Sequence, residues 1–182
     1  MSEILSTQPP APPASQALAA APSHEGFERV RDALQQLSHE HPPRWLEVAA
    51  RTAQEAADAL GVSLGQIAKS VVFRRRADEA AVLVIAAGDR RVDEKKLQVH
   101  TGPLGRADAD FVKARTGFSI GGVSPLGFAP AAGLPMPQLF IDASLFRFDR
   151  IWAAAGHPNG VFPMSPQQLQ QLTGAAVIEV VQ

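Results

Sequence analysis

The hydrophobic positions of this chain predict short helices and strands that alternate along most of its length. Phe27, Val30, Leu34 and Leu37 recur at helical spacing and predict a first helix. Further helices are predicted at 53–60, 92–102, 107–117 and 166–174. Strands are predicted at 67–75, 80–88, 138–142 and 150–156, within HPNGVF, and at 175–182. The pattern indicates a mixed α/β domain whose sheet carries short helices on its faces.

Polar residues mark the ends of several of these elements. Thr52 and Glu55 have the spacing of a capping box, and Gly61 follows the last periodic residue of the same helix. Ser165 and Gln168 form a second capping box. The predicted strands at 67–75 and 80–88 are joined by a short polar loop, so we expect them to pair antiparallel.

Two segments show neither the hydrophobic spacing of a helix nor that of a strand. Residues 1–24 are rich in Pro, Ala and Ser, which predicts a mobile tail outside a folded domain at 25–182. Residues 118–137, FSIGGVSPLGFAPAAGLPMP, are dense in Gly and Pro. A loop of this length is usually functional or disordered.

Composition narrows the possible functions. A formal net charge of -1 argues against a broad non-specific nucleic-acid binder, and the absence of cysteine excludes disulfides and thiol nucleophiles. The five histidines lack the usual spacing of zinc ligands, so no metal or cofactor is expected. No apolar run approaches the roughly 18 residues of a membrane span, so we expect a cytoplasmic protein that does not interact with membranes.

The segment IAKSVVF, residues 67–73, places a lysine within an apolar strand. Alternation puts Ile67, Lys69, Val71 and Phe73 on one face. Burying an unpaired ammonium costs several kcal/mol in effective terms and lowers its pKa. Lys69 therefore either reaches water from a strand end or lines a pocket, where it could hold a carboxylate, a phosphate or a carbonyl oxygen.

Two further features could belong to the same pocket. Asp142 ends the apolar run LFID and could face Lys69 from a neighbouring strand, or it could cap the turn that follows. In the segment SIGGVSP, Gly121 and Gly122 free the backbone to present N–H groups to an oxygen, Ser124 adds a hydroxyl and Pro125 sets the exit. Strings of this kind are also common as plain turns.

Basic residues cluster at three places: Arg74–Arg76, Arg90 with Arg91, and Lys95 with Lys96. Acidic residues are interleaved, which is typical of a solvated face. If the clusters share an edge, they could instead hold a phosphate backbone and add a salt-dependent term to its affinity.

Taken together, several stretches of the chain closely resemble the YbaK/ProX family, relatives of the editing domain of bacterial prolyl-tRNA synthetases. They are TAQEAADALGVSLGQIAKSVVFR, VLVIAAGDRRVDEKKL, TGFSIGGVSPLG, FIDASLFRFDRIWAAAGHPNGVF and SPQQLQQLTGA. The resemblance runs from about residue 25 to the C-terminus. It implies a compact fold with a mixed, barrel-like sheet, and a free-standing aminoacyl-tRNA deacylase that hydrolyses mischarged tRNA.

The resemblance also assigns roles to residues. The signature lysine of the family matches Lys69, followed by Ser70. The glycine-rich substrate loop matches Gly121, Gly122, Val123, Ser124 and Pro125, and the aspartate after the next strand matches Asp142. Lys69, Gly121, Gly122 and Ser124 are then the expected catalytic residues, and Ser70, Ile67, Val71, Val123, Pro125 and Asp142 the expected substrate-binding residues. Arg74, Arg75, Arg76, Arg90 and Arg91 are the expected tRNA-binding residues.

The expected partners are a mischarged tRNA, foremost prolyl tRNA, and a prolyl-tRNA synthetase that recruits the protein in trans. The apolar wall of Ile67, Val71, Ile120 and Val123 suits a small side chain such as Cys, Ser, Thr, 2-aminobutyrate or Ala. Serine after Lys69 argues weakly against alanine, because asparagine is usual in the alanine-specific branch. Some family members carry a tyrosine that lines the pocket, and this chain has none. Trp45, Leu46 or Val48 could replace it.

Two other classes of function remain open from the residues. The fold could bind a tRNA end or a free amino acid without hydrolysing anything. Alternatively, the protein could act as an interaction protein through its tail.

Overall fold

The computed structural model describes residues 24–182. Within this range it contains five α-helices and eight strands. The helices are α1 Glu25–Gln36, α2 Ala53–Leu60, α3 Glu94–Thr101, α4 Ala109–Thr116 and α5 Pro166–Thr173. The strands are β1 Arg44–Trp45, β2 Ile67–Arg75, β3 Ala81–Ala87, β4 Leu104–Arg106, β5 Gln138–Asp142, β6 Ile151–Ala154, β7 Gly160–Met164 and β8 Ala176–Ile178. Two 3₁₀ turns lie at Leu64–Gln66 and Ala143–Arg147.

The described strands form one mixed sheet in the order β1-β7-β6-β2-β3-β5-β8, and β4 pairs with β2 outside this path. The pairs β2–β3 and β6–β7 are antiparallel, whereas β2–β6, β3–β5 and β5–β8 are parallel. The prediction of a mixed α/β fold is confirmed. The predicted antiparallel pairing of β2 and β3 is confirmed as well, over the seven residue pairs from Ala68↔Ala87 to Arg74↔Ala81.

Strand β3 is buried on both faces because its run AVLVIAA contains only apolar residues. Leu83, Ile85 and Ala87 join the larger core, which also contains residues of α1, α4 and α5. Val82, Val84 and Ala86 join a second cluster on the other face, which includes Leu97 of α3. The helices therefore cover both faces of the sheet, and β2 lies beside this rigid central strand.

Both predicted capping boxes are present. The Thr52 side chain accepts a hydrogen bond from the Glu55 N–H, and the Ser165 side chain accepts one from the Gln168 N–H. Gly61 ends α2 in the left-handed region at φ +66°, a conformation that costs glycine little. The start of α2 is therefore defined by local hydrogen bonds, and this start lies beside the cavity described below.

The main differences from the predicted elements concern short strands and strand ends. The strand predicted at 150–156 ends at Ala154, and Gly156 turns the chain at φ +80°. Of the strand predicted at 175–182, only β8 is present in the structure. Beyond it, Val181 forms an isolated bridge with Val92. Strands β1 and β4 were not predicted, because two or three residues are too few to show an alternating pattern.

The Gly- and Pro-rich segment 118–137 contains no helix or strand, as predicted. The predicted tail lies outside the described residues apart from His24. None of the helices within residues 24–182 is long and apolar enough to cross a membrane.

Candidate active site

A gap in the sheet creates the candidate site. On the side of β2 away from β3, β6 pairs only with Ile67 and Ala68, and β4 pairs only with residues 73–75. Residues 69–72 thus have a strand neighbour on one side only. A cavity of about 340 Å³ lies here, and residues from both faces of β2, 67–72, contribute to its wall.

The rest of the wall comes from four other parts of the chain. It consists of residues 50–53 and 56 at the start of α2, residues 107 and 112 at α4, residues 120, 121 and 123 of the long loop, and residues 152–154, 158, 160 and 161 of β6 and β7. Most of these residues are apolar. The volume lies near the lower end of the range typical of small-molecule sites, so the cavity suits a small ligand group.

Lys69 is half-buried at the edge of this cavity. Its Nζ donates hydrogen bonds to the main-chain oxygens of Gly88, at 3.3 Å, and Arg90, at 2.5 Å. Burial lowers the pKa of Lys69 from its usual value, and the negative charge of Asp89 partly opposes this effect. The structure therefore resolves the question raised by IAKSVVF: the ammonium is held by carbonyl groups at the end of β3 while the strand lines a cavity.

The side chain of Asp89 is itself engaged. It forms an ion pair and hydrogen bonds with Arg147, whose guanidinium lies 4.6 Å from the centroid of the Phe148 ring. Asp89 is therefore shared between a direct partner, Arg147, and the longer-range attraction of Lys69. The positive charge of Lys69 is only partly neutralised by its surroundings.

The structure brings six of the predicted site residues together in the cavity wall, namely Ile67, Lys69, Ser70, Val71, Gly121 and Val123. Ile120, predicted as part of the apolar wall, also lines the cavity and is 59% exposed. The Oγ of Ser70 is buried and has no hydrogen-bond partner within the described part of the chain. The strand and the glycine loop, 50 residues apart in the sequence, thus meet at one place.

Three predicted loop residues lie behind the cavity wall instead. Gly122 is buried, and its N–H donates to the Ser119 oxygen at 3.0 Å. Ser124 is fully buried, and its Oγ accepts a hydrogen bond from the Leu126 N–H. Pro125 is buried as well. As placed here, Gly122, Ser124 and Pro125 shape the loop and do not line the cavity.

Asp142 is not part of the cavity wall, and β3 lies between its strand and β2. The residue is 1% exposed, and both carboxylate oxygens accept main-chain hydrogen bonds: Oδ1 from Ser144 at 2.8 Å and Oδ2 from Val180 at 2.9 Å. Of the two interpretations left open by the sequence, these contacts match the cap of the following turn. The strand that intervenes prevents Asp142 from facing Lys69.

The predicted tRNA-binding arginines divide into two groups. Arg74 pairs with Glu79, Arg75 pairs with Asp78, and the Arg76 side chain donates to the Leu104 oxygen, all at the far end of β2 from Lys69. Arg90 and Arg91 are exposed on the turn after β3, where the Arg90 carbonyl accepts the hydrogen bond from Lys69. Arg90 therefore lies next to Lys69 at the edge of the cavity.

Sequence reasoning missed the wall that precedes α2. Ala50, Arg51, Thr52 and Ala53 line the cavity, whereas Trp45, Leu46 and Val48 do not. None of the three lines the cavity and Val48 is 73% exposed, so the hypothesis that one of them replaces the missing tyrosine in this wall is wrong. The capping box at Thr52 was the available signal, because it shows where α2 begins. The sequence does not show that this helix start lies beside β2, since that position depends on the tertiary fold.

Trp45 instead belongs to an aromatic cluster outside the cavity wall. Its ring stacks with those of His24 and His157, with centroids 5.0 and 4.8 Å away. Burial lowers the pKa of His157, and the proximity of His24 lowers it further. This cluster supports the turn that leads into β7, the strand that closes one side of the cavity.

The chain matches the model of the aminoacyl-tRNA editing domain over residues 47–172. This range contains every segment of the cavity wall. The mixed α/β fold described above is thus the fold of this family. The chain belongs to the aminoacyl-tRNA editing domain family.

Individual relatives agree with this assignment. The chain is 34% identical over 149 residues to the uncharacterised protein YwhH of Bacillus subtilis, covering 81% of this chain and 91% of YwhH. It is 39% identical over 79 residues to the proline–tRNA ligase of Pelotomaculum thermopropionicum, a match to 42% of this chain but only 14% of that enzyme.

Solved structures show the same fold. A protein described as a candidate trans-editing enzyme for prolyl-tRNA synthetase superposes with a TM-score of 0.78 at 35% identity, covering 88% of this chain and 99% of its own. The hypothetical protein APE2540 superposes with a TM-score of 0.77 at 27% identity, covering 85% of this chain and 99% of its own.

Proposed function

We propose that this protein is a trans-editing deacylase that hydrolyses the ester bond of mischarged aminoacyl-tRNA, foremost prolyl tRNA that carries a small non-cognate amino acid. The observation that carries the proposal is that Lys69 of β2 and Gly121 of the loop line one small apolar cavity in a member of the editing-domain family. The similarity to part of a proline–tRNA ligase supports prolyl tRNA as the acceptor.

In the proposed reaction, a water molecule attacks the carbonyl carbon of the ester. The bond from that carbon to the ribose oxygen breaks, the ribose oxygen takes up one proton of the water, the other proton passes to solvent, and the amino acid leaves as a carboxylate. The described residues of the wall include no hydrogen-bonded nucleophile–base pair, which suits a mechanism in which the ribose 2′-hydroxyl of the substrate assists the water. The protein then contributes chiefly by binding, orientation and charge stabilisation.

Lys69 holds an oxygen of the 3′ adenosine, either its phosphate or a hydroxyl, at the cavity edge. The partly neutralised ammonium is suited to this role, because the hydrogen bonds to Gly88 and Arg90 leave a third donor on Nζ. Within the described residues, the N–H groups of Gly121 and Val123 have no hydrogen-bond acceptor, unlike that of Gly122. They are the loop donors we assign to the developing oxyanion.

The cavity also supports selection of small amino acids. Ile67, Val71, Ile120 and Val123 all line the wall, and a site of this kind works as a second sieve. One methylene is worth only about 1–3 kcal/mol to a synthetase, so editing is needed where side chains are similar in size. Cys, Ser, Thr, 2-aminobutyrate and Ala all remain candidate substrates, with alanine the least favoured.

The experiment is a deacylation panel with prolyl tRNA charged separately with Ala, Ser, Thr, Cys, 2-aminobutyrate and Pro. We expect rapid loss of one or two non-cognate amino acids, retention of Pro, and no activity in Lys69→Ala. Lys96→Ala is the matched control, because Lys96 also donates to a main-chain oxygen, that of Val181, but lies outside the cavity wall. It should behave as wild type.

The alternative function is a module that binds a tRNA end or an amino acid without hydrolysis. It would leave every ester intact while mischarged tRNA or a free amino acid still binds. Equal activity in wild type and Lys69→Ala would contradict the role assigned to Lys69.

A further inference from the structure

The loop that carries Gly121 and Val123 is attached to α1 by one arginine. Arg29 donates from Nε to the Gly127 oxygen, at 3.2 Å, and from one terminal nitrogen to the Gly117 oxygen, at 2.9 Å. Gly117 and Gly127 stand at the two ends of the nine-residue segment between them. A single guanidinium therefore bridges both ends of the loop.

The remaining contacts of Arg29 fix its own position. Its second terminal nitrogen donates to Glu25 at 3.0 Å, and its Cζ lies 4.8 Å from the centroid of the Phe118 ring, which is 1% exposed. The side chain is 22% exposed, so its hydrogen bonds are partly shielded from water. A planar fork with several donors suits a bridge between two carbonyl groups in a way that an ammonium does not.

The two carbonyl groups need such a partner. Gly117 follows the last residue of α4, where main-chain oxygens lack helical partners and carry partial negative charge. Lys113 also donates to the Gly117 oxygen, at 3.1 Å, so two cations meet at this helix end. At Gly127, an added Cβ would lie 3.4 Å from the Arg29 oxygen and the Val30 Cα, which shows how closely this end of the loop packs on α1.

Within the segment itself, few hydrogen bonds hold the cavity-facing residues. Apart from the hydrogen bonds of Phe118 with the Thr116 hydroxyl at its start, the described ones are the Gly122 N–H to the Ser119 oxygen and the Leu126 N–H to the Ser124 hydroxyl. Both are local, so neither determines where the segment lies relative to β2. The attachment at its two ends supplies that position together with the close packing of Gly122 against His157.

We infer that Arg29 is a positioning residue of the site: it holds the loop 118–126 against α1 and thereby sets the distance between Gly121 and β2. This inference rests on the proposed function for its effect on catalysis. Arg29 itself does not line the cavity. Its removal should widen the cavity, weaken discrimination between small and larger amino acids, and slow the chemical step.

The test uses Arg29→Met, which keeps the length of the side chain, and Arg29→Lys, which keeps the charge. Arg31→Met is the matched control, since Arg31 lies on the same helix, is 50% exposed and, among residues 24–182, forms its side-chain hydrogen bonds with its neighbour Asp32. We expect Arg29→Met to lower kcat by roughly tenfold or more, as for loss of hydrogen bonds that involve a charged group, and to reduce the preference for the non-cognate ester over Pro. Arg29→Lys should retain only part of the wild-type kcat and of the wild-type preference for the non-cognate ester. Arg31→Met should match wild type in both quantities.

Amide hydrogen exchange tests the inference independently of activity. In Arg29→Met, the amides of Gly122 and Leu126 should exchange at least about tenfold faster than in wild type, while those of β3 keep their protection. If the loop amides exchange at the wild-type rate, Arg29 does not position the loop. If Arg29→Met does not fold, Arg29→Lys carries the same comparison, with faster loop exchange expected and unchanged exchange contradicting the inference. Inactive wild-type protein would refute the proposed function and leave the exchange result valid.

Discussion

At the scale of single residues, the site depends on a few close main-chain contacts. Gly122 illustrates this, because its N–H closes a turn with Ser119 and its Cα packs against the chain at His157. An added Cβ would lie 2.8 Å from the His157 Cα and 2.9 Å from its nitrogen. Real Cβ atoms do not approach main-chain atoms so closely, so the loop and the turn before β7 fit together only with glycine here.

We therefore predict that Gly122→Ala separates the loop from His157. The expected loss is about 1–3 kcal/mol of unfolding free energy, as for other overpacked positions. Deacylation should fall too, because Gly121 would move with the loop. Gly105→Ala is the control, since its Cβ would have only an ordinary contact, 3.5 Å from the Arg76 Nε. Denaturant unfolding and the deacylation assay check both variants; a Gly122→Ala protein as stable and active as wild type would contradict the close fit.

At the scale of elements, the start of α2 connects a local helix signal to the cavity. The Thr52 hydroxyl accepts from the Glu55 N–H at 3.2 Å, and the Glu55 carboxylate accepts from the N–H groups of Arg51 and Thr52. These main-chain hydrogen bonds hold the pKa of Glu55 below its usual value. Arg51, Thr52 and Ala53 all line the cavity, so the capping box also builds part of the wall.

The chain offers a matched comparison of two capping boxes. Thr52→Ala and Ser165→Ala should each lower the unfolding free energy by about 1 kcal/mol, the usual cost of a lost N-cap. Only Thr52→Ala should raise the KM for mischarged tRNA, because α5 contributes no residue to the cavity wall. Denaturant melts and steady-state kinetics measure the two effects. Equal KM values in both variants would show that the start of α2 does not contact the substrate.

At the scale of the whole molecule, we expect the cations near the cavity, more than the total charge, to determine how the protein binds tRNA. The chain is close to neutral, with a net charge of -1. Arg51 is an exposed cation in the cavity wall, and Arg90 is exposed next to Lys69. Arg74 and Arg75 are paired with Glu79 and Asp78, and the hydrogen bonds from the Arg75 side chain and the Ala80 N–H lower the pKa of Asp78 to about 2.

Salt dependence can separate these cations. We predict that Arg51→Gln and Arg90→Gln each reduce the slope of log K against log salt for tRNA binding by about 1, the value for one lost phosphate contact. Arg74→Gln should change the slope less, because Arg74 would have to give up Glu79 to bind a phosphate. Equilibrium binding over a salt series is the measurement. An equal or larger change in Arg74→Gln would move the tRNA surface to the far end of β2.

The sequence by itself determined the elements whose cause is local. The apolar run of β3, the largely apolar start of β2 and both capping boxes depend on neighbouring residues, so their positions were predictable. The resemblance also predicted roles for Lys69 and the glycine loop, and Lys69, Gly121 and Val123 line the cavity. Only the tertiary structure decided which of these residues meet, because the gap beside residues 69–72 arises from where β4 and β6 stop pairing with β2. Arg51 lies in the cavity wall beside this gap. Strand order also depends on contacts between distant segments, and it places β3 between Asp142 and Lys69.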